Sequence, residues 1–217
     1  MASYQPVTQE FLAQLESIVP GRVTAGSEVN PDYGRDEMPI YGVHPPEAAV
    51  EILSTEEAAA VVKLCYAHNI PVTTRGAGTG LVGGCVPVFG GVVLSTARMN
   101  RILGYDLENF TVTVQPGVLL QQLAEDALSH GCLYPPDPGE KLATLGGNVS
   151  TNASGMREFS SGDPDTSKTA ASWFGACIFL IEKAKQISTE YKFGDFFRNF
   201  LAVILGIIIT LDRKSVV

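Results

Sequence analysis

PVTTRGAGTGLVGGCVPVFGG, residues 71–91, decides what kind of fold this chain can adopt. A β-branched run, Val72-Thr73-Thr74, ends at Arg75, after which Gly76, Gly78, Gly80, Gly83 and Gly84 reduce the backbone to almost no side chain. Glycine reaches positive φ, and a run of it lets main-chain N–H groups converge on an anion at close range. Arg75 adds a positive charge beside them. The competing reading is a glycine-rich surface turn with no ligand.

Two phosphate-binding motifs bear on the loop. A Walker loop ends in Gly-Lys-Ser/Thr, and no lysine lies between Lys63 and Lys141, which excludes it. Gly78, Gly80 and Gly83 do match the G-x-G-x-x-G fingerprint, but that motif needs a helix to begin inside it and turn its N-terminus to the pyrophosphate. Here Gly84, Pro87, Gly90 and Gly91 run straight into the strand-like Val92-Val93-Leu94, leaving no room for a helix. A dinucleotide held at this loop is held by loop amides between two strands, not by a Rossmann unit.

Upstream, Ala48 to Leu53 reads as a strand and Ser54-Thr55-Glu56-Glu57 as a capping box, so a helix is expected with Ala58, Val61, Val62, Leu64 and Cys65 on its apolar face. It ends at His68-Asn69, where a helix C-terminus suits the histidine. Thr8 to Val19 has the spacing of an amphipathic helix stopped by Pro20-Gly21. Residues 23–46 read as one long polar loop, with the acidic pair Asp36-Glu37 and Tyr41 on it; the pair is read as solvated, with acid–base work as the alternative. Downstream, 92–95, 102–106 and 111–115 read as strands, and 119–129 as a helix closed by Gly131. The alternation indicates an α+β layered domain.

The second informative stretch is LYPPDPGEKLATLGGNVSTNASG, residues 133–155. Its prolines stiffen the backbone, and Gly146-Gly147-Asn148 and residues 152–155 read as bare amides beside small polar side chains. Two such stretches suggest one extended ligand gripped at two places. The chain has 217 residues and a net charge of −8, which argues against a nucleic-acid surface. Up to Arg157 it carries 8 basic against 16 acidic residues, and beyond it 7 against 7. Cys65, Cys85, Cys132 and Cys177 are widely spaced and suggest free thiols in a reducing compartment, with no metal site. The opening MASYQPVTQEF shows no signal-peptide pattern.

Five blocks then carry a resemblance: PVTTRGAGTGLVGG (71–84), GGVVLS (90–95), VQPGV (114–118), YPPDP (134–138) and TLGGNVSTNASG (144–155). In that order and spacing they resemble the FAD-binding domain of the vanillyl-alcohol oxidase and p-cresol methylhydroxylase flavoprotein family. Within it the likeness is to glycolate oxidase catalytic subunits and FAD-linked D-lactate dehydrogenases, and it covers about residues 36–156. The resemblance implies an oxidoreductase acting on a small 2-hydroxyacid. It implies that the amides of Arg75, Gly76, Ala77, Gly78, Thr79, Gly80 and Leu81 hold the FAD pyrophosphate. It places Pro135, Pro136 and Asp137 near the flavin, and Thr144, Gly146, Gly147, Asn148, Asn152, Ser154 and Gly155 along the rest of the cofactor. Some relatives attach FAD through a histidine in the first loop; the matching position here is Thr79, so non-covalent FAD is expected.

The chain therefore divides into an N-terminal helix and loop (1–35), a partial FAD-binding domain (36–156) and an unrelated tail (157–217). The tail's last residues, DRKSVV, resemble translated adapter sequence, which would make it an artefact. Its apolar stretch 200–211 is too short to span a bilayer and reads as a buried or interfacial helix. On these grounds the polypeptide is expected to be an inactive fragment of a 2-hydroxyacid oxidoreductase, with no catalytic residue identifiable, located in the cytoplasm. The electron acceptor is left open, and partner subunits are expected for the full-length form. The alternatives are a non-enzymatic binder of a nucleotide or other phosphate ligand, and a protein tethered at a membrane by the tail.

Overall fold

The computed structural model describes residues 4–134 and 138–153, and the backbone of 207–210. The chain divides into two compact units, 1–99 and 100–217.

In the first unit, α1 (Gln9–Ile18) is capped by Thr8, whose hydroxyl accepts the Phe11 N–H, and it buries Phe11 and Leu15. β1 (Val23–Ala25), β2 (Ala48–Glu51), β3 (Val72–Arg75) and β4 (Val92–Ser95) form one sheet in the order β1-β2-β4-β3. β2, β4 and β3 run parallel and β1 antiparallel. Ala48, Ala49, Val50 and all four β4 residues are buried, as expected of parallel strands covered on both faces. Val29 and the half-buried Tyr33 pack with Ala49 and Val93 on one face.

The crossover from β2 to β3 is α2 (Thr55–Ala67), with Ser54 accepting the Glu57 N–H as its cap. The crossover from β3 to β4 contains no helix. It is the glycine loop itself, as its sequence requires.

β1 corrects the reading of residues 23–46 as a single loop. It is a three-residue edge strand, followed by 3-10 turns at Gly26–Glu28, Pro31–Gly34 and Pro39–Tyr41. Three residues are too few for alternation to register, and the strand exists because β2 offers it an edge.

Beside it, Arg22 donates both terminal nitrogens to the Glu57 carboxylate at 2.6 Å, and Glu57 also accepts the Leu53 N–H. The Arg22 hydrogen bonds hold the Glu57 carboxyl below the usual carboxylate range. A lowered folded-state pKa contributes stability that is present above the unfolded pKa and lost as pH falls through the folded one. Glu57→Gln is thus expected to cost about 1–2 kcal/mol at pH 7 for a partly buried bidentate pair. The gap from the parent should close below the ordinary glutamate range, which urea melts at stepped pH would follow.

In the second unit, β5 (Ile102–Asp106) and β6 (Thr111–Val114) form an antiparallel hairpin. Its turn is fastened by Asp106, which accepts the N–H and side-chain amide of Asn109. α3 (Leu120–Ser129) lays Leu120, Leu123 and Ala127 against Val112, Val114 and Val118. α4 (Leu145–Thr151) adds Leu145 and Val149 to the same core.

Two readings are corrected here. Residues 145–151 are not a stretch of bare amides but a short helix: the Thr144 hydroxyl caps the Gly147 N–H, the Leu145 amide bonds Val118 and the Gly146 amide bonds Pro116. Within the apolar stretch 200–211, Ile207–Thr210 is a strand, β7, antiparallel to β6, where a helix was expected. Three consecutive isoleucines and a threonine fit a pleated edge better than a helical turn. Among the described residues no helix is long and apolar enough to cross a membrane.

Candidate functional site

The glycine loop leaves the C-terminal end of β3 with its donors unused. Among the described residues, no protein acceptor is bonded to the main-chain amides of Gly76, Ala77, Gly78, Thr79, Gly80, Leu81 or Val82. The first loop amide with a protein partner is that of Gly83, which donates to Asp36 Oδ2 at 2.7 Å.

Arg75 does not extend beside this row of donors, as its sequence position suggested. Its side chain folds under the loop and is buried, with Nη1 donating to the Arg35 carbonyl at 2.6 Å and to Cys85 Sγ at 3.3 Å. The guanidinium also lies 5.5 Å from the centre of the Tyr33 ring. Among the described residues it has no carboxylate within ion-pair distance. Its field nonetheless reaches its neighbours. The Asp32 carboxyl is held low mainly by Arg35, with Arg75 adding to the effect. Burial pushes the Cys85 thiol up against the opposing pull of Arg75.

The three fingerprint glycines have separate physical reasons. Gly78 sits at φ +83°, and a Cβ there would overlap the Arg75 guanidinium. Gly83 sits at φ +72°, and a Cβ would stand 2.9 Å from the Tyr41 ring. Gly80 has neither constraint: its φ is ordinary, and nothing lies within 4 Å of where its Cβ would be.

In the second unit, Thr144 and Asn148 are buried, with the Thr144 hydroxyl serving as helix cap. Gly146 and Gly147 lie in the first turn of the helix, their amides bonded to the Pro116 carbonyl and the Thr144 hydroxyl. Asn152 closes the helix in the left-handed conformation and is exposed. The Asn148 side-chain amide nitrogen is buried and, among the described residues, has no hydrogen-bond partner. Burying such a donor unpaired costs about 1–3 kcal/mol. Pro135, Pro136, Asp137, Ser154 and Gly155 lie outside the described residues. Among the described residues no cluster of His, Cys, Asp and Glu is placed to hold a metal ion.

Sequence reasoning undervalued Asp36. It is half-buried, and its two carboxylate oxygens accept the Met38 and Gly83 amides, so it is not a solvated charge. No local pattern announces a contact across 47 positions.

Free amides beside a buried arginine that has no carboxylate partner among the described residues have the chemistry to accept an anionic group. A sequence model described as FAD binding domain matches residues 46–168, and one for a domain of unknown function matches 155–191. The chain is 60% identical over 154 residues to a D-lactate dehydrogenase of Anaerostipes hadrus, covering 71% of this chain and 32% of that protein. It is 41% identical over 126 residues to glycolate oxidase subunit GlcD of Bacillus subtilis (strain 168), covering 58% and 27%. The chain thus spans about a third of the length of these relatives. Among solved structures, alkyldihydroxyacetonephosphate synthase superposes with a TM-score of 0.65 at 24% identity, covering 75% of this chain and 32% of that one. Substrate-bound p-cresol methylhydroxylase gives 0.59 at 27% identity, covering 68% and 31%. With the family match spanning more than half of its residues and the same α+β architecture recurring in p-cresol methylhydroxylase, the chain belongs to the FAD binding domain family, in its vanillyl-alcohol oxidase and p-cresol methylhydroxylase branch.

Proposed function

We propose that this chain forms the cofactor-holding part of an FAD-dependent oxidoreductase of small 2-hydroxyacids, with the FAD pyrophosphate seated on the amides of residues 76–82 above the Arg75 guanidinium. The observation that carries this is the coincidence of unpaired amides with a buried cation that has no carboxylate. The glycines let the backbone approach the phosphates, and the fixed guanidinium offsets their charge without having to reorganise. Asn148 is assigned along the cofactor on family resemblance. Pro135, Pro136 and Asp137 are assigned beside the flavin, and Thr144, Asn152, Ser154 and Gly155 along the cofactor, on family resemblance. Thr79 offers no nucleophile for flavin attachment of the kind a histidine gives, so FAD is held non-covalently. When bound, FAD supplies a hydride acceptor for the substrate carbon that bears the hydroxyl.

D-lactate and glycolate are the substrates suggested by the names of the D-lactate dehydrogenase and glycolate oxidase relatives. The word "subunit" in the second of those names supports partner subunits for this chain as well. We assign no residue here to the hydroxyacid.

The test is to purify the full chain, record its absorption spectrum, then strip it and titrate FAD by flavin fluorescence. A yellow protein that rebinds FAD supports the reading. A colourless protein that binds ADP as tightly as FAD would instead make it a nucleotide-binding module. Gly80→Ala sharpens the test. With an ordinary φ and open space at Cβ, alanine should leave the melting temperature of the FAD-free protein unchanged or slightly raised. The added methyl group holds the ligand off the loop amides, and FAD affinity should fall about tenfold, the worth of one lost charge-assisted hydrogen bond.

A further inference from the structure

We infer that Asp36 is a positioning residue for the cofactor loop: the segment 35–41, which lies before the family match begins at residue 46, fixes which loop amides face the ligand and where that row ends. The inference rests on the FAD reading above and assigns the source of the loop's geometry.

Four contacts tie this segment to the loop. The Arg35 carbonyl accepts Arg75 Nη1 at 2.6 Å, so the guanidinium is anchored from this side. The Glu37 N–H donates to the Gly80 carbonyl at 3.1 Å. Asp36 Oδ2 accepts the Gly83 N–H at 2.7 Å while Oδ1 accepts the Met38 N–H at 2.9 Å. The Tyr41 ring fills the space in which a Gly83 Cβ would stand.

The consequences follow from the planar trans peptide, in which C=O and the next N–H point to opposite sides. Holding the Gly80 carbonyl on Glu37 turns the Leu81 N–H away from the segment, into the row of free donors. Drawing the Gly83 N–H onto Asp36 turns the Val82 carbonyl the other way and removes Gly83 from the row. The cradle therefore ends at Val82, and a carboxylate, not the ligand, satisfies the third glycine of the fingerprint. An ionised carboxylate holds a backbone N–H more firmly than a neutral acceptor does. Its own charge is engaged by two amides and so is not presented to the phosphates.

The experiment compares Asp36→Asn with Asp32→Asn in the full chain, titrating FAD and ADP at a temperature where each FAD-free variant is fully folded. Asp32 is an exposed carboxylate four positions away that pairs with Arg35 and does not touch the loop. Asp36→Asn cannot accept both amides, and the expected result is a loss of about tenfold for FAD. ADP should lose by the same factor, because it carries the pyrophosphate without the flavin. Asp32→Asn should stay within about twofold, as exposed pairs do. Hydrogen exchange should show the Gly83 amide protected in the parent and freed in Asp36→Asn. If Asp36→Asn does not melt cooperatively, Asp36→Glu carries the test, since it keeps the charge but displaces the acceptors, and parallel losses for FAD and ADP are again expected. Unchanged affinities with parent binding intact overturn this inference and leave the FAD reading standing. Failure of the parent chain to bind FAD overturns both.

Discussion

Arg75→Met is expected to weaken FAD binding about a hundredfold, the equivalent of about 3 kcal/mol, while the FAD-free chain stays folded. The two halves of that expectation have different causes. In the FAD-free chain the guanidinium is a buried cation with hydrogen bonds to the Arg35 carbonyl and Cys85 but no carboxylate. Its desolvation offsets much of what those contacts contribute, and replacing it with an apolar side chain of similar length is close to neutral. In the proposed FAD complex the balance changes, because the pyrophosphate would sit near the same charge in a site of low dielectric. Arg75→Lys should recover only part of the loss, since a compact ammonium does not reproduce the planar guanidinium anchored on the Arg35 carbonyl. Titrations at rising salt separate the contributions: the parent should lose affinity with ionic strength more steeply than Arg75→Met. An unchanged FAD affinity in Arg75→Met would reduce the arginine to a prop beneath the loop.

The parts of the fold that were legible in the sequence are those with a local cause. Ser54 and the periodic apolar positions after it specify α2, and the absence of any helix-compatible stretch between Arg75 and Val92 specifies a bare crossover loop; both are as expected. The family resemblance added the cofactor, which composition alone could not name. What was not legible depends on distant partners. α4 has the poor helix formers Gly146 and Gly147 in its first turn and forms because Thr144 caps it and Leu145 and Val149 dock in the core. β1 and β7 are short strands that exist by pairing with β2 and β6. That a ligand could reach the loop's own amides was readable from its glycines, but the buried Arg75 side chain and the Asp36 tie to Gly83 are tertiary facts. The sequence reading of "bare amides" at residues 146–148 failed for the complementary reason: those donors are already spent on Pro116 and Thr144.

Gly78→Ala should destabilise the FAD-free chain by about 3–4 kcal/mol. Two costs combine. A residue with a Cβ at φ +83° loses about 1–2 kcal/mol relative to glycine. The added methyl group also overlaps a guanidinium that is buried and hydrogen-bonded, so Arg75 must move and give up its 2.6 Å bond to the Arg35 carbonyl, a charge-assisted contact worth about 1.5–3 kcal/mol. For a domain of this size the melting temperature should drop by about 10–20 °C. The two costs can be separated with the double variant Gly78→Ala/Arg75→Met, in which the terminal atoms of the guanidinium are gone and only the backbone cost remains. The single variants should then fail to add, with a coupling of about 2 kcal/mol, as contacting residues show. Additive effects would mean that the overlap is relieved cheaply and that positive φ alone demands the glycine. In that case Asn at position 78, which tolerates the left-handed region, would restore most of the lost stability. If the overlap dominates, Asn should be no better than Ala, because its side chain occupies the same space above Arg75.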